Sequence, residues 1–241
     1  MSHVRTLVDT LTQYQALAHH TDADLRALLR DVQAWQKSRI HRNHAALFTQ
    51  PNTAPLAHYL IDRIYSDKDF DVLAEQLLTA GHNALAGSGR LEKLIPSRAL
   101  ATGVLGVQAA VNAIDLDLQL ASHIKNDAAL FADYQACGIT DSLAISAYQA
   151  ANDKSARLAQ IHDICTVCAQ CAKEFNSFLL FKAFGLAKST AYKHGYQPLY
   201  DFIHEGFAAI QAIDKIDNFT KPFKQTELDT VENIYRSTLN D

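Results

Sequence analysis

Apolar residues recur along this chain at spacings of three and four. Val4, Leu7, Val8, Leu11, Tyr14 and Leu17 form one stripe over 3–19. Leu25, Leu28, Leu29, Val32, Trp35, Ile40 and Leu47 form another over 22–48. Such spacing gathers apolar side chains on one face of a helix. Thr21 is the expected N-cap of the second helix, with Asp22 and Asp24 in its first turn to complement the dipole. Pro51-Asn52-Thr53 interrupts the pattern, Ala54–Tyr65 predicts a short helix, and 68–84 predicts a longer one that buries Phe70, Val72, Leu73, Leu77 and Leu78.

The stretch 97–124 differs from its neighbours. From Ala99 to Ile114 it carries no charge and leaves almost no polar face. A helix apolar nearly all round is one that other elements bury on most sides, so this segment is the expected centre of the fold. Beyond it the pattern predicts helices over 126–136 (ended at Gly138), 141–151 (capped by Thr140), 153–184, 197–214 and 225–238. No window of strict alternation survives comparison with the helical template. No fixed-period repeat and no Ser/Gly/Pro-rich linker divides the chain. The expected fold is all-α: a single domain over 1–241, built as an irregular bundle of about eight to ten helices around a buried 97–124 helix.

Composition agrees with a globular chain, at 48% hydrophobic and 20% charged residues. A net charge of -4 argues against broad nucleic-acid binding. Asp9 falls where a secretory leader is apolar, and the uncharged run 99–114 falls short of the ~20 apolar residues of a membrane span. These features favour a cytoplasmic protein, in which Cys137, Cys165, Cys168 and Cys171 are reduced thiols.

Several strings imitate reactive sites. His162, Cys165, Cys168 and Cys171 are spaced by threes, as in zinc or iron–sulfur motifs. On a helix each step of three climbs about 4.5 Å and turns by about -60°, so the four ligands fan around the axis and do not converge. Core packing of the thiols is the expected role. His162-Asp163 also matches the dipeptide of the all-α HD-type metal-dependent phosphohydrolases, with His123 as the upstream ligand to nominate and Asp201 or Asp214 as the downstream one. No second fingerprint accompanies the dipeptide, so it reads as a surface pair. Asp67-x-Asp69-x-Asp71 begins like a calcium loop but has Val72 where such a loop needs Gly. Gly87-Ser88-Gly89-Arg90 follows no predicted strand, which weakens a phosphate-cradling role. His19-His20 and His41/His44 read as solvated or half-buried pairs. No cofactor is expected.

Charge distribution carries the better hint. Residues 35–44 hold three cations and no acid, and between Glu174 and Asp201 there is again no acid while Lys182, Lys188, Lys193 and His194 accumulate. That second stretch also carries Phe178, Leu179, Leu180, Phe181, Phe184 and Leu186, more apolar surface than one core face needs. It suits an anionic membrane surface, an anionic ligand or a homodimer contact; an ordinary helix pair with snorkelling lysines explains it equally well.

Trp35-Gln36 with Arg39, then Tyr59-Leu60-Ile61-Asp62-Arg63-Ile64-Tyr65 and Asp69-Phe70, resemble the FFLEE (FFLEELY) motif family of bacterial proteins. The resemblance continues in Leu91–Pro96 and Leu199–Phe207, with Arg63 where the motif has its second Glu. It implies a helical bacterial protein of unknown biochemical role and supplies no catalytic residue. Trp35 and Arg39 fall at i and i+4, and Tyr59, Asp62 and Tyr65 at i, i+3 and i+6, so each set shares a helix side. An Asp62–Arg39 pair beside Trp35 and Tyr65 is the expected clamp, or alternatively a pocket floor.

Taken together, the sequence points away from an enzyme and toward a helical interaction protein that self-associates through 178–196. Its expected contact or binding residues are Trp35, Arg39, Asp62, Tyr65, Lys182, Lys188 and Lys193. The alternatives are an HD-type hydrolase with His123, His162 and Asp163 on a metal, and a membrane-peripheral protein.

Overall fold

A computed structural model describes residues 2–63, 67–87, 96–175 and 178–236. Tyr65, residues 88–90 of the Gly-containing loop and the 91–95 string lie outside the described residues, as do the side chains of Asp67, Asp69 and Phe178. Among the described residues every regular element is helical and there is no strand. The elements are α1 (His3–Gln15), α2 (Ala23–Asn43), α3 (Ala45–Thr49), α4 (Ala54–His58), α5 (Asp67–Leu85), α6 (Ser97–Asn126), α7 (Ala128–Cys137), α8 (Asp141–Ala151), α9 (Lys154–Phe175), α10 (Phe178–Leu186), α11 (Lys188–Lys193), α12 (Gln197–Gln211) and α13 (Asp217–Arg236). A 3-10 turn spans Ala18–His20, and a π turn, Tyr59–Arg63, continues α4.

Among the described residues there are more helices than the eight to ten expected, because the 22–48 stripe is broken and the short helix α11 stands between two predicted ones. The 22–48 pattern stops at His44, whose backbone leaves the helical region at φ -119°, ψ 27° and whose side chain is buried against Glu227. The 153–184 pattern is helical over α9 and again in α10, with residues 176–177 outside the described residues. Other boundaries follow local chemistry. Thr140 Oγ1 accepts from Leu143 N at 3.2 Å to start α8, Asp127 caps α7, and Gly138 ends α7 at φ 70°, a conformation open to glycine. The cap of α2 is Asp22, whose Oδ1 accepts from Leu25 N at 2.9 Å, and not Thr21. Asp22 is also held by Lys125 Nζ at 2.7 Å, which ties the start of α2 to the end of α6. Helix α13 begins eight residues earlier than the pattern predicts and accommodates Pro222 inside it.

Helix α6 packs against α1, α2, α7, α8 and α9. Its second half is the better buried, through Leu116, Leu118, Leu120, Ala121 and Ile124; in its first half Leu105 is 38% exposed. By length and composition alone it is long and apolar enough to cross a membrane, which the uncharged run by itself does not suggest. Three clusters of buried side chains fill the interior. One joins α2, α6 and α8 around Trp35, Ile124 and Tyr148; a second gathers Ile40, Leu56, Ile61, Cys168, Ile210, Phe219 and Phe223; the third packs α1, α5 and the first half of α6. Burial of each such large side chain supplies about 1.5–3 kcal/mol.

Candidate functional site

Trp35 and Arg39 enter the interior and meet partners that their sequence neighbourhood does not suggest. Trp35 Nε1 donates to Asp141 Oδ1 at 2.7 Å. Arg39 is held by Glu227 of α13, with Nη1 and Nη2 donating to the two carboxylate oxygens at 3.0 and 2.7 Å. His44 Nε2 meets the same carboxylate at 2.8 Å. Burial pushes the Glu227 pKa up, but the hydrogen bond from His44 and the Arg39 charge outweigh it and hold the pKa at about 2. From Arg39 the polar chain continues inward: Nε donates to Gln36 Oε1, and Gln36 Nε2 donates to the Tyr148 hydroxyl and to Asp117. Asp117 accepts from Arg157, whose Nε donates to Asp153. This network joins five helices, α2, α6, α8, α9 and α13. It is a clamp.

The expected Asp62–Arg39 pair is therefore replaced by two separate arrangements. Asp62 lies on the π turn and takes Lys37 Nζ at 3.2 Å and His41 Nε2 at 2.8 Å from α2, and His58 Nδ1 at 2.6 Å from α4. Burial raises its pKa, but the three hydrogen bonds, that of His58 foremost, reverse the effect to about 2. The His41 ring stacks on Phe48 at 3.9 Å. On the other side the π turn docks on α12: Tyr59 Oη donates to Phe202 O, Arg63 Nε donates to Glu205 Oε2 at 2.8 Å, and the Tyr59 ring lies against Gly206. An open groove of about 660 Å³ runs between Pro55, His58, Asp62, Arg63, Glu205 and Ala212. An imidazole oriented by a carboxylate is competent for acid–base work. Among the described residues the only hydroxyl lining this groove is the Tyr59 phenol, and burial pushes its pKa far above the ordinary value.

The thiols face the core. Cys168 is buried with Ile40, Phe219 and Phe223, and Cys165 and Cys171 pack beside it. Burial pushes the pKa of all three up, that of Cys171 to about 12. His123, His162 and Asp163 are all exposed, and the fold keeps the first apart from the other two. Arg157 pairs with Asp117, and Val167 sits over Gly106, so α9 runs antiparallel to α6 and brings His162 level with residues near 112. His123 lies about eleven residues further along α6, roughly 16 Å at the helical rise. Those three residues form no ligand set.

His162 instead lines a cleft of about 450 Å³ between α9 and α13, with Cys165, Thr166, Gln170, Lys173, Thr220, Lys221 and Lys224. Among the described residues no carboxylate lines it. Lys221 Nζ is met by Asp217 at 2.9 Å, while Lys173 and Lys224 make no ion pair among the described residues. Sequence reading missed this cleft because Pro222 hid the start of α13, and with it the i, i+3 pair Lys221 and Lys224. That pair, beside the helical face 162–173, is the signal the sequence holds for it.

Over 178–196 the apolar excess is partly absorbed within the chain. The Phe184 ring stacks on Tyr200 at 4.6 Å and 5°, and Phe181 lies against His204 and Phe207. Gln76 pins the turn that follows: its amide donates to Gly195 O, and its Oε1 accepts from Leu199 N. Lys188 Nζ lies over the Tyr192 ring at 5.3 Å, and Lys182 and Lys193 are exposed. Leu186, the last residue of α10, is 85% exposed.

The family model described as "Domain of unknown function (DUF8198)" matches residues 15–241. No curated protein and no solved structure matches the chain.

Proposed function

The chain belongs to the family described as a domain of unknown function (DUF8198), and from that footing we propose that it is a binding protein whose cleft between α9 and α13 takes an anionic ligand. One observation carries this reading: in a chain of net charge -4, Lys173, Lys221, Lys224 and His162 converge on a single cleft whose lining holds no acid. Asp217 neutralises only Lys221, so the remaining lysine charges repel each other, and an anion relieves that repulsion. Thr166, Gln170 and Thr220 add neutral hydrogen-bonding groups to the same walls. The thiol of Cys165 is half-buried there and its pKa is raised, so the cleft holds no activated nucleophile.

Isothermal titration of the full chain with inorganic pyrophosphate tests the proposal. Saturable binding, weakened about tenfold or more by the Lys173→Gln/Lys224→Gln double variant and by added salt, is the expected result. A flat titration, or affinity indifferent to both lysines, overturns it.

A second reading concerns self-association. Leu186 stands out from the surface at the end of α10, with Lys182 on the same helix and Lys188 and Lys193 on α11. We propose that this tip is a contact with a second copy of the chain, with the lysines left in solvent at its rim. Sedimentation velocity then finds a dimer that Leu186→Glu converts to monomer; a monomeric wild-type chain overturns the proposal.

A further inference from the structure

Where the chain passes from α1 to α2 it makes the 3-10 turn Ala18–His20, and this turn faces α5. The turn is rigidly held. Arg26 Nε and Nη2 donate to His19 O and His20 O, each at 2.8 Å, and the two imidazoles lie with centroids 4.0 Å apart. His19 is buried, with 6% of its surface exposed. Two ring nitrogens there, His19 Nδ1 and His20 Nε2, are out of contact with water and have no hydrogen-bond partner. A buried polar atom left without a partner is costly, and a native fold rarely keeps one without a reason. Here there are two, side by side.

Across from them stands Asp71 of α5. One donor atom from each of His19, His20 and Asp71 lies within 4.8 Å of the others. The carboxylate is positioned by the Tyr14 hydroxyl, which donates to Asp71 Oδ1 at 2.5 Å, and Tyr14 also sets its ring edge-on to His20 at 4.8 Å. Phe70 closes the same corner by packing edge-on to Tyr14. Two imidazole nitrogens and one carboxylate oxygen, the last oriented by an outer hydrogen bond, are the donor set of a three-ligand zinc-type centre.

We propose that His19, His20 and Asp71 bind a divalent transition-metal ion of the zinc type. In a tetrahedral site with bonds of about 2.0–2.1 Å, neighbouring donors stand roughly 3.3 Å apart, so rotation of the half-buried His20 and the exposed Asp71 side chains closes the set around the ion. An ion there gives one ring nitrogen of each imidazole a partner in a corner where two buried nitrogens have none. It also staples the α1–α2 junction to α5, which are otherwise joined by side-chain packing and the Tyr14–Asp71 bond. A fourth position remains for water or for a ligand.

The test uses the full chain without an affinity tag, stripped with chelator and dialysed. Zn²⁺ binding is followed by competition with a chromogenic chelator, and Co²⁺ is added in parallel to read the coordination geometry from its visible absorption. One equivalent of metal, a tetrahedral cobalt spectrum and a thermal midpoint that rises with Zn²⁺ and falls again with chelator are expected. Asp71→Asn and His20→Ala remove groups that are not deeply buried, and circular dichroism checks that each variant keeps its helix content. Each weakens binding at least roughly tenfold, whereas His58→Ala, which touches the separate Asp62 cluster, leaves stoichiometry and affinity unchanged. Absence of saturable binding at millimolar Zn²⁺ overturns the proposal, and so does binding that survives both Asp71→Asn and His20→Ala or is lost with His58→Ala.

Discussion

Arg157 Nη1 donates to Asp117 Oδ1 at 2.8 Å, with the arginine side chain 3% and the aspartate 0% exposed. Arg157 also donates to Leu116 O at 2.7 Å and to Asp153, and its guanidinium lies over the Tyr148 ring at 4.9 Å. Two opposite charges so far from water stabilise the fold only as a pair, because each alone keeps the desolvation cost without the attraction. Arg157→Met strips Asp117 of its cation and is expected to destabilise by about 3–5 kcal/mol. Arg157→Met/Asp117→Leu removes both charges and loses much less. Urea denaturation of the two variants decides it: equal losses would show that an unpaired buried charge is not what destabilises the single variant.

Glu227 imposes an acid limit on stability. Its folded-state pKa, about 2, lies below its ordinary value of 4.5. A depressed carboxylate pKa contributes stability that is complete above the unfolded value and is lost as the pH falls through the folded one. The window is therefore about pH 4.5 down to 2, and the contribution is roughly 3 kcal/mol at neutral pH. Asp62 shifts in the same direction and adds to the wild-type slope, so the readout is a difference. Glu227→Gln is expected to lower the urea midpoint at pH 7 and to narrow its gap to wild type as the pH falls to 3. A gap that stays constant would mean that Glu227 is not ionised against Arg39 and His44.

How much of this was legible in the sequence depended on how local each cause is. Thr140 and Gly138 act within three or four residues of their own positions, and the helix boundaries they set are the predicted ones, whereas Asp127 starts α7 two residues after the predicted 126. The break at His44 has its cause 183 residues away in Glu227, and Arg39 finds the same carboxylate 188 residues along the chain. Arg39 follows Trp35 on α2 as the spacing expects, but Asp62 lies on a π turn that faces it to Lys37, His41 and His58 while Tyr59 docks on α12. Phe181 and Phe184 looked like surplus apolar surface because nothing in their own stretch shows that Tyr200, His204 and Phe207 face them. His19-His20 reads from the sequence as a solvated or half-buried pair; His20 is half-buried, but the full burial of His19 and the approach of Asp71 are not written in the dipeptide.

Gly206 is required by the Tyr59 ring. A Cβ at position 206 would stand 2.6 Å from Tyr59 Oη and 2.7 Å from Cζ, and the ring has little room to yield because it packs on Phe202 and its hydroxyl is bound to Phe202 O. Alanine in place of glycine ordinarily stabilises a helix interior by about 0.5–1 kcal/mol. Gly206→Ala should do the opposite here, with a loss of about 1–3 kcal/mol from overpacking. Combined with Tyr59→Ala, which vacates the space, the same change should cost less than the sum of the two single losses. Additive losses in a thermal or urea double-mutant cycle would mean that the π turn and α12 do not press on each other.

The four thiols should separate by reactivity in the order of their burial. Cys137, at the end of α7, is exposed. Cys165 is half-buried, its thiol pKa raised by burial while Lys224 pulls the other way. Cys168 is buried and its pKa is pushed up further, with Cys171 beside it at about 12. Only the thiolate attacks an alkylating reagent, so both the raised pKa and the loss of access slow the reaction. Pulsed iodoacetamide at mild alkaline pH, read by mass spectrometry of peptides, should modify Cys137 first and Cys165 more slowly. Cys168 and Cys171 should react only once denaturant opens the fold. Labelling of Cys168 in the native chain as fast as Cys137 would place it outside the Ile40–Phe219–Phe223 cluster and refute the packing of α9 against α2 and α13.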